Sequence, residues 1–295
     1  MKKTLSLALF LLISNLVFAQ EIVLQGVVRN LKSDEPISYA AISVYNELKG
    51  ISSDVDGNFK LTLSSEYSNK KLAISAIGYS DTIVKISSFV DNDNVIKLVP
   101  KQYEILEAVV IAENREIIVD KLKKSFFNQV STFGSSDPRI NLKFFNYEEE
   151  YEQMFIEEIG FFFDRYYDSD IEPRFILRIM EVDSVTGYPG SDLLEKTVVR
   201  LAKTKPRDNV EFEYKLEKPI LFPKQGVFVG IEWLAIEENK VKGPYDRTFY
   251  APTLKSKSRK RIEPNIWEYY GGVWKLRKPY GGKHVEPYIQ LKLTN

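Results

Sequence analysis

The sequence predicts an exported, mainly β protein in which two β-sandwiches follow one another, joined by a short helix. Three observations predict it. Apolar residues alternate with polar ones at a period of two from residue 22 to 99 and again from about 140 to the end. Clusters of Gly, Pro, Asn and Asp separate these runs every 8 to 15 residues or so, the punctuation of antiparallel sheets. The 295 residues contain no cysteine, so the fold must be held by its cores rather than by disulfides.

Residues 1–19 read as a signal peptide. Lys2 and Lys3 make a positive start, and Leu5 to Ile13 is apolar except for Ser6. Val17 and Ala19 are small residues suited to a cleavage site that leaves Gln20 first. The run is too short and interrupted to span about 30 Å of hydrocarbon. Nothing later approaches about 18 consecutive apolar residues, so no transmembrane segment is expected in the mature chain.

The missing cysteines also remove thiol catalysis, cysteine-held zinc and iron–sulfur clusters. Lys plus Arg and Asp plus Glu number 41 each, which gives no general attraction to polyanions, and no nucleic-acid partner is expected. The charges are unevenly placed. From Glu148 to Glu172 nearly all are acidic, and from Lys242 to Lys283 most are basic. Either these are solvated faces, or they make a bipolar surface that orients a partner.

In the first segment, Ile22 to Val28 and Ala40 to Tyr45 read as strands around a polar loop. Asp54-Val55-Asp56-Gly57-Asn58 reads as a turn, after which Phe59, Leu61 and Leu63 alternate. Leu72, Ile74 and Ala76 follow, then Gly78-Tyr79, Ile83 to Ile86 and Val95 to Val99. The ordered motifs Gly26-Val27-Val28, Glu35-Pro36-Ile37, Ala40-Ala41-Ile42, Ser53 to Phe59 and Leu72 to Tyr79 resemble the carboxypeptidase regulatory-like domain. The resemblance covers residues 20–112 and implies a seven-stranded, transthyretin-like sandwich. It implies an accessory unit without activity of its own, found before TonB-dependent receptor barrels, proteases and surface proteins of bacterial envelopes. Leu106 to Ile111 is similar to the strand that follows this domain in receptor precursors, but the remaining length is too short for a barrel.

Residues 113–136 are expected to form a helical connector, because Ile118, Leu122 and Phe126 fall four apart. It would pack between domains or lie on a membrane surface. Residues 137–295 are expected to form a second, jelly-roll-like sandwich. Its strands include the apolar run Ile159 to Phe163, the alternations at Phe175 to Ile179, Val210 to Leu216 and Val227 to Trp233, and a last strand at Ile289 to Leu293. Gly230 suits a close approach of backbones. Asp183 to Gly190 is dense in turn formers. Together with Gly226 to Leu234 it resembles a segment of secreted proteins that carry this N-terminal domain, a resemblance that implies no activity.

Chemistry has few places to reside. His284 is the sole histidine and sits in an expected loop with no Gly-x-Ser-x-Gly elbow, so a Ser-His-Asp triad and a multi-histidine zinc site are not expected. The carboxylates Glu157, Glu158, Asp164, Glu181, Asp183 and Glu232 lie in or beside strands. A pair of them about 5 to 10 Å apart would suit a glycoside hydrolase, and Glu232, between apolar neighbours, suits a raised pKa. Asp54-Val55-Asp56-Gly57 resembles the start of a calcium loop but lacks its spacing, and Asp91 to Asn94 clusters oxygens in a loop; both read as turns. Among the late aromatics, Trp267, Tyr270 and Trp274 are the candidate ligand-binding residues, since flat rings suit sugar faces. Lys255 to Arg261 reads as a basic loop, either solvated or in contact with anionic lipid or polysaccharide. No metal, cofactor or catalytic residue is assigned. The resulting expectation is a non-enzymatic envelope protein, in the periplasm or at the outer membrane. An accessory sandwich precedes one that binds a protein or glycan; the alternative is a glycan-active hydrolase using carboxylates of the second domain.

Overall fold

The computed structural model describes residues 21–89, 94–101, 115–121, 130–164, 171–202, 210–242, 247–260, 264–279 and 283–295. The expected signal peptide therefore lies outside the described residues. So do Leu106 to Ile111 and Asp91 to Asp93.

The first unit is built from β1 (Glu21–Asn30), β2 (Ala41–Val44), β3 (Gly50–Ser52), β4 (Asn58–Ser64), β5 (Lys71–Ser75), β6 (Thr82–Lys85) and β7 (Asn94–Leu98). They form two sheets, β4-β1-β7 and β3-β2-β5-β6, in which only β1 and β7 run parallel. Period-two alternation fills the space between them. Leu24, Val28, Ile42, Val44, Phe59, Leu61, Leu63, Leu72, Ile74 and Leu98 are all buried in one core. Gly57 turns the chain into β4 with φ +78°, and a Cβ there would stand 2.7 Å from the Val28 carbonyl oxygen, so the site accepts only glycine. Tyr79 packs on this core, and its hydroxyl accepts from Asn30 Nδ2 at 3.3 Å.

The second unit begins with β8 (Glu116–Val119), β9 (Val130–Ser135), β10 (Arg139–Phe145), β11 (Phe155–Asp164), β12 (Arg174–Val182), β13 (Pro189–Asp192) and β14 (Val199–Leu201). It continues through β15 (Val210–Leu221), β16 (Val227–Trp233), β17 (Lys240–Lys242), β18 (Thr248–Lys260), β19 (Ile266–Tyr270), β20 (Val273–Leu276), β21 (Lys283–Pro287) and β22 (Ile289–Thr294). One sheet has the order β13-β12-β16-β10-β19-β20, with β14 also on β12; the other runs β17-β18-β11-β22-β8, with β15 on β11 and both β21 and β9 on β18. Their inner faces share one core. Ile159, Phe161, Phe163, Leu254, Ile289 and Leu291 meet Phe175, Leu177, Val229, Ile231 and Trp233 there. The result is a sandwich, as expected, with more strands than the eight of a jelly roll. Gly230 does carry a close approach: a Cβ would lie 1.9 Å from the Asn141 carbonyl oxygen of the neighbouring strand.

Three local expectations are corrected. The connector is not helical at its described ends, since Glu116–Val119 and Val130–Ser135 are strands of the second sandwich; Leu122 and Phe126 lie outside the described residues. The pattern Glu-Ile-Ile-Val serves a strand here because the edge of β22 offers a ladder. Pairing Ile117 with Leu293 and Val119 with Leu291 sends their side chains to the core and leaves Ile118 37% exposed. The basic loop is instead the end of β18, in which Lys255 and Ser256 are buried. His284 is not in a loop but in β21, opposite Arg259.

This strand geometry separates two adjacent isoleucines. Ile117→Glu is expected to lower unfolding stability by about 1–3 kcal/mol, the cost of losing a core-facing side chain. Ile118→Glu should change it by about 0.5 kcal/mol or less. Urea unfolding of both variants checks this, and equal effects would sink the strand assignment.

Candidate functional site

The outer face of the β13-β12-β16-β10-β19-β20 sheet holds the features with chemical potential. Its side chains follow from the register. One row crosses Ile176, Glu232, Ile140, Tyr269 and Trp274; the next crosses Arg178, Gly230, Leu142, Trp267 and Leu276; the third crosses Met180, Phe228 and Phe144. The first row lies under the N-terminal sandwich, and the third is farthest from it.

At the junction, Tyr39 and Ile77 of the first sandwich pack with Ile176, Leu234 and Ile236 of the second. The Ser52 and Ala235 backbones are tied by Ser52 N–H to the Ala235 carbonyl at 3.2 Å and by Ala235 N–H to Ser52 Oγ at 3.0 Å. Arg174 Nη1 donates to Tyr39 Oη at 3.0 Å, and Lys275 Nζ donates to Asn46 Oδ1 at 2.8 Å. The β19–β20 hairpin presses Gly271 and Gly272 against β2 and β5. A Cβ on Gly272 would be 2.6 Å from the Ala73 Cβ. With φ of +57° and +81°, the Gly-Gly pair also makes the two-residue turn that such a hairpin favours.

Beneath this junction lies a buried charge cluster. Arg178 donates through Nε and Nη2 to the two oxygens of Asp192, at 2.9 and 2.8 Å, and through Nη1 to Glu232 Oε2 at 2.5 Å. All three side chains are buried. The bidentate geometry gives Asp192 the stronger hold on the guanidinium. Burial raises the pKa of Glu232 against the opposing pull of Arg178, and Asp192 and Asp81 reinforce the rise. Asp192 is raised by the same desolvation, opposed by Arg178 and by Lys101. The Tyr269 hydroxyl donates to Asp81 Oδ2; burial, then the Asp81 charge, raises its pKa strongly. The cleft beside Glu232, lined by Ser43, Ser75, Arg139, Ile140, Tyr269 and Gly272 among others, has a volume of about 10 Å³, the room of one water.

Glu232 thus has the raised pKa its sequence setting suggested. Its partners Arg178 and Asp192 carry no comparable signal along the sequence. Arg178 reads as a wet residue alternating with Phe175, Leu177 and Ile179, yet it is 6% exposed. The available signal was a cation in the middle of an apolar strand, which needs a carboxylate once both faces are covered.

Three of the other candidate acids have partners. Lys215 reaches Glu157 at 2.8 Å, and Lys292 reaches Glu158 at 3.6 Å. Asp183 Oδ1 accepts from the Thr186 and Val185 backbone N–H groups of its own turn. Asp54 Oδ1 does the same for Asp56 and Asn58. A second buried network joins the two sheets. Lys143 of β10, 3% exposed at its side chain, contacts Asp120 and lies 3.5 Å from Glu286 of β21, while Lys257 of β18 lies 3.1 Å from Glu286. Burial, then the Lys143 charge, lowers the Lys257 pKa.

The pleat divides the aromatic trio. Trp267 and Trp274 lie on the outer face with Tyr269. Both are half-buried against Leu142, Met180 and Phe228, and the exposed Tyr188 stands 4.5 Å from Trp267, ring centre to ring centre. Tyr270 lies on the opposite face, its ring flanked by Lys275 Nζ at 4.4 Å and the Arg139 guanidinium at 5.4 Å. Tyr188 was not recognised as part of this strip, because the turn that presents it brings it to Trp267 only across the sheet.

Comparison with known families places the first unit. A CarboxypepD_reg-like domain model matches residues 24–111, so the N-terminal sandwich is such a domain, and the match does not extend into the second unit. No curated protein matches the chain. No helix among the described residues is long and apolar enough to cross a membrane.

Two outcomes follow from the charge cluster. Arg178→Met leaves two buried carboxylates without their cation and is expected to cost about 3–5 kcal/mol in urea unfolding; a loss under about 1 kcal/mol would contradict the buried geometry. Because Glu232 is raised, the folded protein keeps a proton that the unfolded chain has released. That stabilising proton is fully counted below the ordinary glutamate pKa of about 4.3 and is lost as pH climbs through the raised value. Glu232→Gln stays neutral throughout, so it should match wild type in acid and gain on it as pH rises. A pH-independent difference would count against a raised Glu232.

Proposed function

We propose that the chain is a non-enzymatic, exported envelope protein whose second sandwich is a binding module. The CarboxypepD_reg-like domain, a sandwich often found in envelope proteins, supports the envelope setting. The N-terminal sandwich acts as a rigid accessory, fixed against one end of the binding sheet. The observation that carries the reading is the outer-face strip of Tyr188, Trp267, Trp274 and Leu276. It lies beside the junction, and Tyr188 and Leu276 are 47% and 39% exposed. Aromatic rings with one side packed and one side open offer a stiff apolar platform to a pyranose face or to a partner's side chains. The ligand class favoured is a glycan, because partly exposed aromatic rings suit the apolar face of a sugar.

The alternative is a glycan-active hydrolase. It would need one of its acids free to face substrate, and Glu232, the strongest candidate, is engaged by Arg178 in a space of one water. A glycan array on the purified protein tests the choice. Retained glycan without product release is expected, with affinity falling tenfold or more in Trp267→Ala and in Tyr188→Ala, a factor worth about 1.4 kcal/mol. Release of reducing sugar that Glu232→Gln abolishes would establish the hydrolase instead.

A further inference from the structure

The buried network between the two sheets sets an amine against a carboxyl group, with a second acid beside both. β8 pairs with β22 up to Val119 opposite Leu291, and the next residue, Asp120, meets β10 across the gap between the sheets. Lys143 points inward from β10, where its Nζ contacts Asp120 Oδ2 and stands 5.1 Å from the centre of the Phe145 ring. Glu286 Oε2 is 3.5 Å from the same nitrogen, and Asn265 Nδ2 donates to that oxygen at 3.4 Å. Lys257 Nζ lies 3.1 Å from Glu286 Oε1 and 3.9 Å from Asp120 Oδ1. The side chains of Lys143 and Glu286 are 3% and 5% exposed, while that of Asp120, at 31%, forms the open side of the cluster. Held as ions, a buried amine and a carboxyl group cost the fold their lost hydration. Condensed to an amide, the same two groups carry no charge.

We propose that Lys143 and Asp120 become joined by an amide bond that forms within the folded chain, with Glu286 as the proton carrier. Glu286 Oε2 takes one proton from the Lys143 ammonium and passes it to Asp120 Oδ2. The freed lone pair of Nζ then forms a bond to Asp120 Cγ. A second proton leaves Nζ through Glu286 for the same Oδ2, the Cγ–Oδ2 bond breaks, and that oxygen departs as water through the open side. Glu286 ends as it began, and the step needs no oxidant or co-reactant. Negative charge that builds on Oδ1 during the attack faces the Lys257 ammonium. The fold supplies the rest. Strand register holds the reacting atoms together in place of a chance encounter, and burial favours the neutral product over the ion pair. The bond ties β10 of one sheet to the chain leaving β8 of the other. In a chain without cysteine it is a covalent tie that no reductant opens.

Peptide mass spectrometry of the purified full chain tests the bond directly. Trypsin cuts after Arg115, Lys121, Arg139 and Arg165 but not after an acylated lysine. It should therefore yield one branched peptide made of residues 116–121 and 140–165, lighter than the two together by one water and uncut after Lys143. Glu286→Gln should lower the yield of that peptide by about tenfold or more, and Lys143→Met should abolish it, with the circular dichroism of both variants unchanged. A wild-type digest that holds only linear peptides, cut after Lys143, overturns the proposal, and this result does not depend on how any variant folds. A branch carried by Lys257 overturns the assignment of Lys143. A branch that forms equally in Glu286→Gln overturns the role of Glu286. No ligand enters the measurement, so its outcome is separate from that of the aromatic strip.

Discussion

The guanidinium of Arg178 is held out of water between Asp192 and Glu232, and much of the molecule's arrangement serves to keep it so. A buried cation is tolerated only when its donors are matched by acceptors in good geometry. Three of its nitrogens bond to carboxylate oxygens at 2.5 to 2.9 Å. The cover is the N-terminal sandwich, whose Asp81, Tyr39 and Ile77 close the same face. Removing that cover would expose both the ion cluster and the apolar seam around Ile176 and Leu234. The N-terminal domain is thereby part of the environment of the second sheet, more than a bead on a linker.

This constraint also explains how the outer face is shared out. The row nearest the junction is spent on the seam: Ile176, Glu232 and Tyr269 are buried there. Farther along the sheet, Tyr188 and Leu276 keep exposed area, and Trp267 beside them is half-buried. Glu157 and Glu158 are meanwhile held in ion pairs and Asp183 in its own turn.

Charge is used differently at the two ends of the second sandwich and in its middle. Between the sheets, Lys143, Asp120, Glu286 and Lys257 form a network that links β10 to β18 and β21. Such a network fixes the register of layers that an apolar core alone would let slide. Most lysines near Glu152 to Glu158 are neutralised, whereas Lys278 and Lys283 are left to the solvent.

The period-two runs around Phe59, Leu72, Ile159, Phe175, Val227 and Ile289 determined by themselves that both halves are β, because alternation reports which side chains must leave water. Gly57 and Gly230 declared their backbone needs in the same local way. Pairing was another matter. Nothing in Glu116–Val119 distinguishes a helix from a strand until the edge of β22 is there to bond with it, and the basic run through Lys257 became a strand only because Glu286 and Asp120 could neutralise it. The candidate site was legible in Glu232 and Trp267 but not in Arg178, Asp192 or Tyr188. Those residues join the site across ladders and between layers, and contacts of that kind are set by strand register and sheet stacking, which the order of residues along one strand does not encode.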